Sequence, residues 1–592
     1  MPNFDTTLQT MKSLTVIRSL PLVFLFHLTG LGLFAEEPAD LILRNGKIVL
    51  VDEKFQVVEA MAVRDGRVQA VGLNAEVSKL GNRDTRVIDL ENKMVLPGLL
   101  DSHVHPTGAS MFEANHEIPP METIADVLAY IRKRAKVVPT GEWIRLSQVF
   151  ITRLKEQRYP SRAELDSAAP DHPVVFRTGP DGSANSLALK ENGIDKTFAA
   201  EHPEHVMVDP ATGEPNGILR QASKVLKSKS NSTRKSLDET ARDQRLIKLF
   251  QDYNRRGITG VIDRNCGSGA RTQYERLLDA DLLTLRVRAS RGVSAGGGKA
   301  EIEKRLDAIA ADPYFKKPDP RFGIIGVKVF QDGGMLTGSA YFQKPWGKSK
   351  IYGIKDPRYR GMQYVKEEQL ETLARACVER GMAFTAHCQG DAATTTLARV
   401  YARIDKDLPV APSRSSITHS SFMTPDAIRL AGKVGFGIDL QPAWLHQDGF
   451  TLQKHFGKER LKHFIPLKSL FDAGVKAGGG SDHMQRIGPL RSVNPYDPFL
   501  GMWITLTRKA RGMDEPIHPE QALNRREMIR FYTINNAWLM RDENEIGSLE
   551  PGKRADFIII DSNLLTCPVD EIKTTVVLST WLDGKQVNPL DK

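Results

Sequence analysis

The side chains able to do chemistry in this sequence sit at the ends of apolar runs. In MVLPGLLDSHVHP, residues 94–106, an apolar run after a Pro-Gly turn ends in His103 and His105. Side chains two apart on a strand share one side, so these imidazoles face one way together. That is the pattern of a metal-binding edge, or of two polar residues alternating outward. Four later runs carry comparable residues: Lys328 in GIIGVKVF, His387 in TAHCQGD, His419 in ITHS and Asp482 in GGGSD. Divalent ions such as zinc favour imidazole and carboxylate ligands, and a catalytic site keeps one position open for water. Four histidines and a carboxylate suit one or two such ions. A lysine ammonium is a poor neighbour for them, but a lysine carboxylated by carbon dioxide becomes an anionic oxygen ligand able to bridge two metals.

These residues share a rim only if the elements carrying them form one sheet. Eight apolar or β-branched runs, 98–105, 257–263, 284–290, 323–330, 382–388, 415–420, 435–442 and 475–482, alternate with helical patterns. EEQLETLARACVERG stops at Gly381, and TPDAIRLAGKVG opens with Thr424 as cap and Pro425 at the first helical position. Alternating units predict a parallel sheet, and eight of them a (β/α)8 TIM-type barrel. Active sites of such barrels lie at the carboxyl ends of the strands, where His103, His105, Lys328, His387, His419 and Asp482 all fall. About 150 residues separate the first two runs where a barrel unit takes roughly 30, so residues 107–256 read as a large insertion over the site.

The barrel, 98–540, is flanked by β-rich ends with Asn-Gly and Asp-Gly hairpin turns. Residues 36–97 and 541–592 are expected to build one small β-sandwich from both termini. Ahead of them, Lys12 and Arg18 precede an apolar run and the small Ala35, the layout of a secretory signal over 1–35, with Met11 as an alternative start. That predicts export to the periplasm or outside the cell; an uncleaved segment would instead anchor the chain to a membrane. The net charge of +10 is spread over short solvated runs such as IRKRAK, which excludes a nucleic-acid module. Four cysteines without a CxxC pair exclude a thiolate zinc site and a disulfide framework.

PGLLDSHVH, the lysine of VKVFQDG, HCQGD, ITHS, GSD and the closing EIGSLEPGKRADFIIID together resemble the amidohydrolase superfamily, in its amidohydrolase-3 branch with N-substituted formamide deformylase-like enzymes. The resemblance spans roughly residues 40–592. It implies a metal-dependent hydrolase in which His103 and His105 bind the more buried metal. Carboxylated Lys328 bridges to a second metal held by His387 and His419, and Asp482 contacts the first metal and the hydrolytic water. A one-metal variant would use His103, His105, His387 and Asp482. Two stretches depart from the family pattern: GPDGSANSLAL has Ser183 where relatives carry a DGH histidine, and DGGMLTGSA replaces DGSLGS. Both are expected to touch substrate, with Arg177, Asp181 and Asn185 as contacts and His483 lining the pocket. Asp101 and Asp332 are expected to support the site by hydrogen bonding. The remaining histidines, such as His116 and His518, have no matching context. The reading is hydrolysis of an amide, formamide or cyclic amide of small size, with ester or lactone hydrolysis, or a non-catalytic ligand-binding barrel, as alternatives.

Overall fold

The structure, a computed structural model, describes residues 37–147, 149–229 and 237–588. The export segment expected over 1–35 lies outside the described residues. Among those described, no helix is long and apolar enough to cross a membrane.

Eight parallel strands form one sheet in chain order: Leu99–Val104, Ile258–Cys266, Arg286–Gly292, Phe322–Phe330, Ala383–Cys388, Ser416–His419, Gly437–Leu440 and Ala477–Gly479. The sheet closes on itself just beyond the last strand. Asp482 N–H donates to the His103 carbonyl and His105 N–H to the His483 carbonyl, each at 2.8 Å, and Val104 bridges His483 in parallel. Closure depends on the glycines of VKAGGGSD. A Cβ on Gly480 would lie 2.8 Å from His103 Cβ, so only glycine lets the last strand approach the first this closely.

The intervening helices form where the sequence supplies caps. Thr424 accepts a hydrogen bond from Ala427 N–H, Pro425 opens the first turn, and Gly435, at φ 81°, ends the helix Pro425–Val434. Helix Glu367–Glu379 buries Leu370, Leu373 and Cys377. The four cysteines, Cys266, Cys377, Cys388 and Cys567, are free thiols.

Within the long segment after the first barrel strand lies a five-stranded sheet, ordered Val206–Val208, Pro215–Leu219, Asp181–Ala184, Val174–Thr178 and Ile144–Leu146. Helix Glu239–Arg255, capped by Asp238, returns the chain to the second barrel strand. Two further sheets are built near the chain ends. One has four strands between Leu41 and Asp89; the other has six, and pairs Phe557–Ile560 antiparallel with Met94–Pro97. Leu43, Val63, Phe557 and Trp581 share one apolar cluster between these strands.

Candidate metal centre

His103 is the next-to-last residue of the first barrel strand, which ends at Val104, and His105 lies one residue beyond it, where its carbonyl opens helix Pro106–Met111. Their Nε2 atoms are 3.3 Å apart. Asp482 Oδ1 reaches both, at 3.4 Å from His103 Nε2 and 3.3 Å from His105 Nε2. A tetrahedral zinc about 2.0–2.1 Å from each ligand sets those ligands about 3.3–3.4 Å apart. The three donor atoms therefore have the spacing of three corners of such a tetrahedron, and the residues fit a divalent ion. His105, at 27% exposed, is the open edge of this otherwise buried group.

The backbone at two of these strand ends is unusual. Asp482 has φ 55°, His419 φ 72° and Ser420 φ 43°, in the left-handed region that non-glycine residues rarely adopt. Such strain concentrates where surrounding contacts over-determine a functional geometry. At Asp482 those contacts include Asn494 Nδ2, which donates to its carbonyl at 2.8 Å and to its Oδ2 at 3.3 Å. Asn494 Oδ1 in turn accepts from Trp444 Nε1, whose ring packs 5.0 Å from that of His419.

Asp439, on the seventh strand, is the residue around which the buried side is organised. Its Oδ1 sits 3.2 Å from His103 Nδ1 and accepts from Gln441 Nε2 at 3.0 Å. Its Oδ2 accepts from Thr418 Oγ1 and pairs with Arg264 Nε, each at 3.1 Å. A carboxylate on Nδ1 fixes the histidine tautomer and turns Nε2 outward as a ligand. His103, His419 and Asp439 also have donor atoms within 4.8 Å of one another. The guanidinium on Asp439 marks it as a support for the histidines instead of a ligand.

Lys328, His387 and His419 complete the cluster. The His419 ring stacks 4.7 Å from His103 and lies 4.5 Å from His387. Gln441 Oε1 takes His419 Nδ1 at 2.8 Å, leaving Nε2 for a ligand role. His387 Nε2 approaches the Gly333 carbonyl at 3.4 Å. Lys328 is 1% exposed. Burial pushes its amine down to about 8, against the pull of the Asp439 and Asp482 carboxylates. Burial also drives His387 down to about 3 and His103 and His419 well below the ordinary imidazole range. Those rings are neutral at pH 7, the form that binds a metal. Burial lowers His105 as well, but its hydrogen bonds to Asp263 and Asp482 outweigh this and lift it to about 9. Desolvation raises Asp482, with His105 opposing.

Asp101 and Asp332 act through backbone. Asp101 Oδ1 accepts from His103 N–H at 2.9 Å and Ser481 N–H at 3.0 Å, tying the first strand to the segment that follows the last. Asp332 accepts from Gln389, Gly390 and Tyr341 N–H, each at 2.9 Å, and so clips the loop after the fourth strand to the end of the fifth.

Three of the expected substrate contacts are otherwise engaged. The Asn185 side chain caps helix Ser186–Glu191: its Oδ1 accepts from Val174 and Ala188 N–H, and its Nδ2 donates to the His172 carbonyl. Asp181 is buried against Arg220 at 3.1 Å and accepts from Ser339 Oγ at 2.8 Å. The two stretches expected to touch substrate thus touch each other, since Ser339 belongs to DGGMLTGSA. The His483 ring does not line the pocket. Its Nδ1 meets Tyr253 OH at 2.6 Å and its Nε2 meets the Gln485 and Arg486 carbonyls, as its place one residue past Asp482 requires. Only Arg177 keeps partial exposure; burial lowers its pKa and the Asp181 carboxylate opposes this. Ser183 Oγ is buried and has no hydrogen-bond partner among the described residues.

Sequence reasoning missed Asp439, Arg264, Gln441 and Asn494. Asp439 carries the signal that exposed Lys328, a charged residue inside an apolar strand (GFGIDLQP against GIIGVKVF). Asn494 lies in a loop and carries none.

Imidazoles and a carboxylate converging at the carboxyl end of a parallel eight-stranded barrel define a metal-dependent hydrolase. The amidohydrolase family profile (Amidohydro_3) matches residues 86–588, and the chain belongs to that family. It is 26% identical over 558 residues to an N-substituted formamide deformylase from Arthrobacter pascens, covering 92% of this chain and 97% of that one. In structure it is similar to an uncharacterized metal-dependent hydrolase from Pyrococcus horikoshii OT3, with TM-score 0.62 and 20% identity over 90% of this chain and 99% of that one. A zinc complex of atrazine chlorohydrolase from Arthrobacter aurescens TC1 shares the fold at TM-score 0.52 and 15% identity, over 93% of this chain and 97% of that one. As an amidohydrolase, the protein is a metal-dependent hydrolase acting on carbon–nitrogen bonds.

Proposed function

We propose that the protein cleaves a non-peptide C–N bond in an amide, N-substituted formamide or cyclic amide, with zinc held by His103, His105 and Asp482. The observation that carries this reading is the triangle of donor atoms, 3.3, 3.4 and 3.3 Å on its sides. The likeness to a formamide deformylase supports the substrate class. A bound ion would polarise the substrate carbonyl and make a water acidic enough to react near neutral pH. Asp482 would accept a proton from the attacking water as its oxygen reaches the carbonyl carbon. The C–N bond breaks, and the same carboxyl returns the proton to the departing nitrogen. His105, the most exposed of the three, faces the side from which substrate arrives. Arg177 is the candidate contact to the substrate body.

In this reading His387, His419 and a carboxylated Lys328 provide a second metal position. Burial lowers the pKa of the Lys328 amine, and this supports carboxylation, because the unprotonated amine is the form that captures carbon dioxide. The terminal strands act as a composite β-sandwich bracing the barrel, and the N-terminal segment exports the chain.

The test is metal analysis of purified protein followed by an amide panel. One or two equivalents of zinc are expected, and a chelator should abolish hydrolysis until zinc is restored. Turnover of esters alone would favour the lactonase or esterase alternative. Failure to retain any divalent ion after reconstitution would overturn the hydrolase reading in favour of a ligand-binding barrel.

A further inference from the structure

Phe330 stands apart from its neighbours. It ends the fourth barrel strand, in register with His387 on the fifth, as Lys328 is with Thr385. Paired residues of a parallel sheet point to the same face, so Phe330 points with Lys328 and His387 toward the barrel mouth. The distances agree with that direction. The phenyl centroid is 5.5 Å from the His387 ring and 5.3 Å from Lys328 Nζ. Lys328, His387 and His419 are nevertheless buried, at 1%, 9% and 3%, while Phe330 is 46% exposed. An inward-facing phenyl ring with half its surface open, directly over a buried ligand cluster, borders the space in which a substrate must lie.

We infer that Phe330 is a specificity-determining residue whose open ring surface stacks on a planar apolar group next to the scissile amide, so that the preferred substrates carry an aryl substituent there. Aromatic rings attract one another through offset or edge-to-face contacts beyond what apolar burial gives, and a saturated ring of the same size lacks that part. Lys328 occupies the inner side of the ring, which leaves the outer side for substrate. This inference rests on the hydrolase reading for its kinetic form but not for its binding form.

The test uses the zinc-reconstituted full chain with N-phenyl, N-cyclohexyl and N-methyl formamides. For Phe330→Leu, kcat/KM should fall about 3- to 10-fold for the phenyl substrate and less than about 2-fold for the methyl one, with the cyclohexyl substrate close to wild type. Phe330→Tyr should retain the phenyl preference, and zinc content should be unchanged in both variants. An equal fall for all three substrates, or no fall for the phenyl one, overturns the inference. If the wild-type protein hydrolyses none of them, the hydrolase reading is what has failed. The stacking site is then tested by saturation-transfer NMR with the same three compounds. Selective loss of the phenyl signal in Phe330→Leu supports it, and its persistence, or its absence in the wild type, overturns it.

Discussion

At the scale of single residues, the chemistry depends on which nitrogen each imidazole offers. His103 presents Nε2 toward Asp482 because Asp439 takes its Nδ1, and His419 presents Nε2 because Gln441 takes its Nδ1. Asp439→Asn keeps the size of this support and removes its charge. Partners of this kind typically contribute 10- to 100-fold to metal affinity. The variant should bind zinc about 10- to 100-fold more weakly in competition with a calibrated chelator. Because Arg264 loses its counter-charge, Tm should fall as well. A lower Tm with unchanged zinc affinity would assign Asp439 a purely structural role. The ligand candidates were legible because a charged or imidazole side chain interrupts an apolar run, and Asp439 obeys the same rule. Asn494 and Trp444 were not legible, since their contact with each other spans 50 residues and neither sits in a patterned strand.

At the scale of elements, the eight runs of β-branched and apolar residues foretold eight strands, because strands buried on both faces read as nearly continuous apolar stretches. What spacing did not convey is that Asp482 lies beyond its strand, whose last residue is Gly479, and is held by backbone bonds to the first strand. The run of glycines that permits this is visible in the sequence, but its reason is a contact 377 positions away. Gly480→Ala would drive a methyl group against His103, and the two strands would have to part by several tenths of an ångström. The donor triangle would then open, since His103 and Asp482 sit on opposite sides of that seam. Zinc content and kcat should fall by more than about 10-fold while the far-ultraviolet circular dichroism stays near wild type. Retention of full zinc occupancy would show that the seam can relax without disturbing the ligands. The insertion shows a related limit. Asp181 and Asn185 look like free polar residues in sequence, yet burial requires each to find a hydrogen-bond partner, and those partners come from the insertion itself and from the loop after the fourth strand.

At the scale of the whole molecule, the barrel has two ends with different duties, and conserving the site requires that the far end hold its shape. Arg286 opens the third strand at the amino end, away from the metal centre. It is buried, and its Nε and Nη2 grip Asp556 at 2.6 and 2.7 Å while Nη2 also reaches Asp583 at 2.6 Å. Asp556 immediately precedes the strand Phe557–Ile560, and Asp583 follows Val577–Leu582, so one guanidinium joins the barrel to the C-terminal strands. Replacing a buried ion pair on both sides can be nearly neutral, but removing one partner leaves a desolvated charge behind, at a cost of about 3–5 kcal/mol. Arg286→Met should therefore lower the unfolding free energy by about that amount in a denaturant titration, with much of the loss recovered in Arg286→Met/Asp556→Asn. Activity per zinc-loaded molecule should stay within about 2-fold of wild type at temperatures where the variant is folded, since every ligand lies at the opposite end of the strands. A variant that keeps its stability would mean that water reaches Asp556 and that the remaining contacts, among them Arg288 with Asp542 and Thr580 with the Asn254 carbonyl, hold the two parts of the chain together. A variant that keeps its stability but loses zinc would mean instead that the C-terminal strands act on the site through the third and fourth barrel strands.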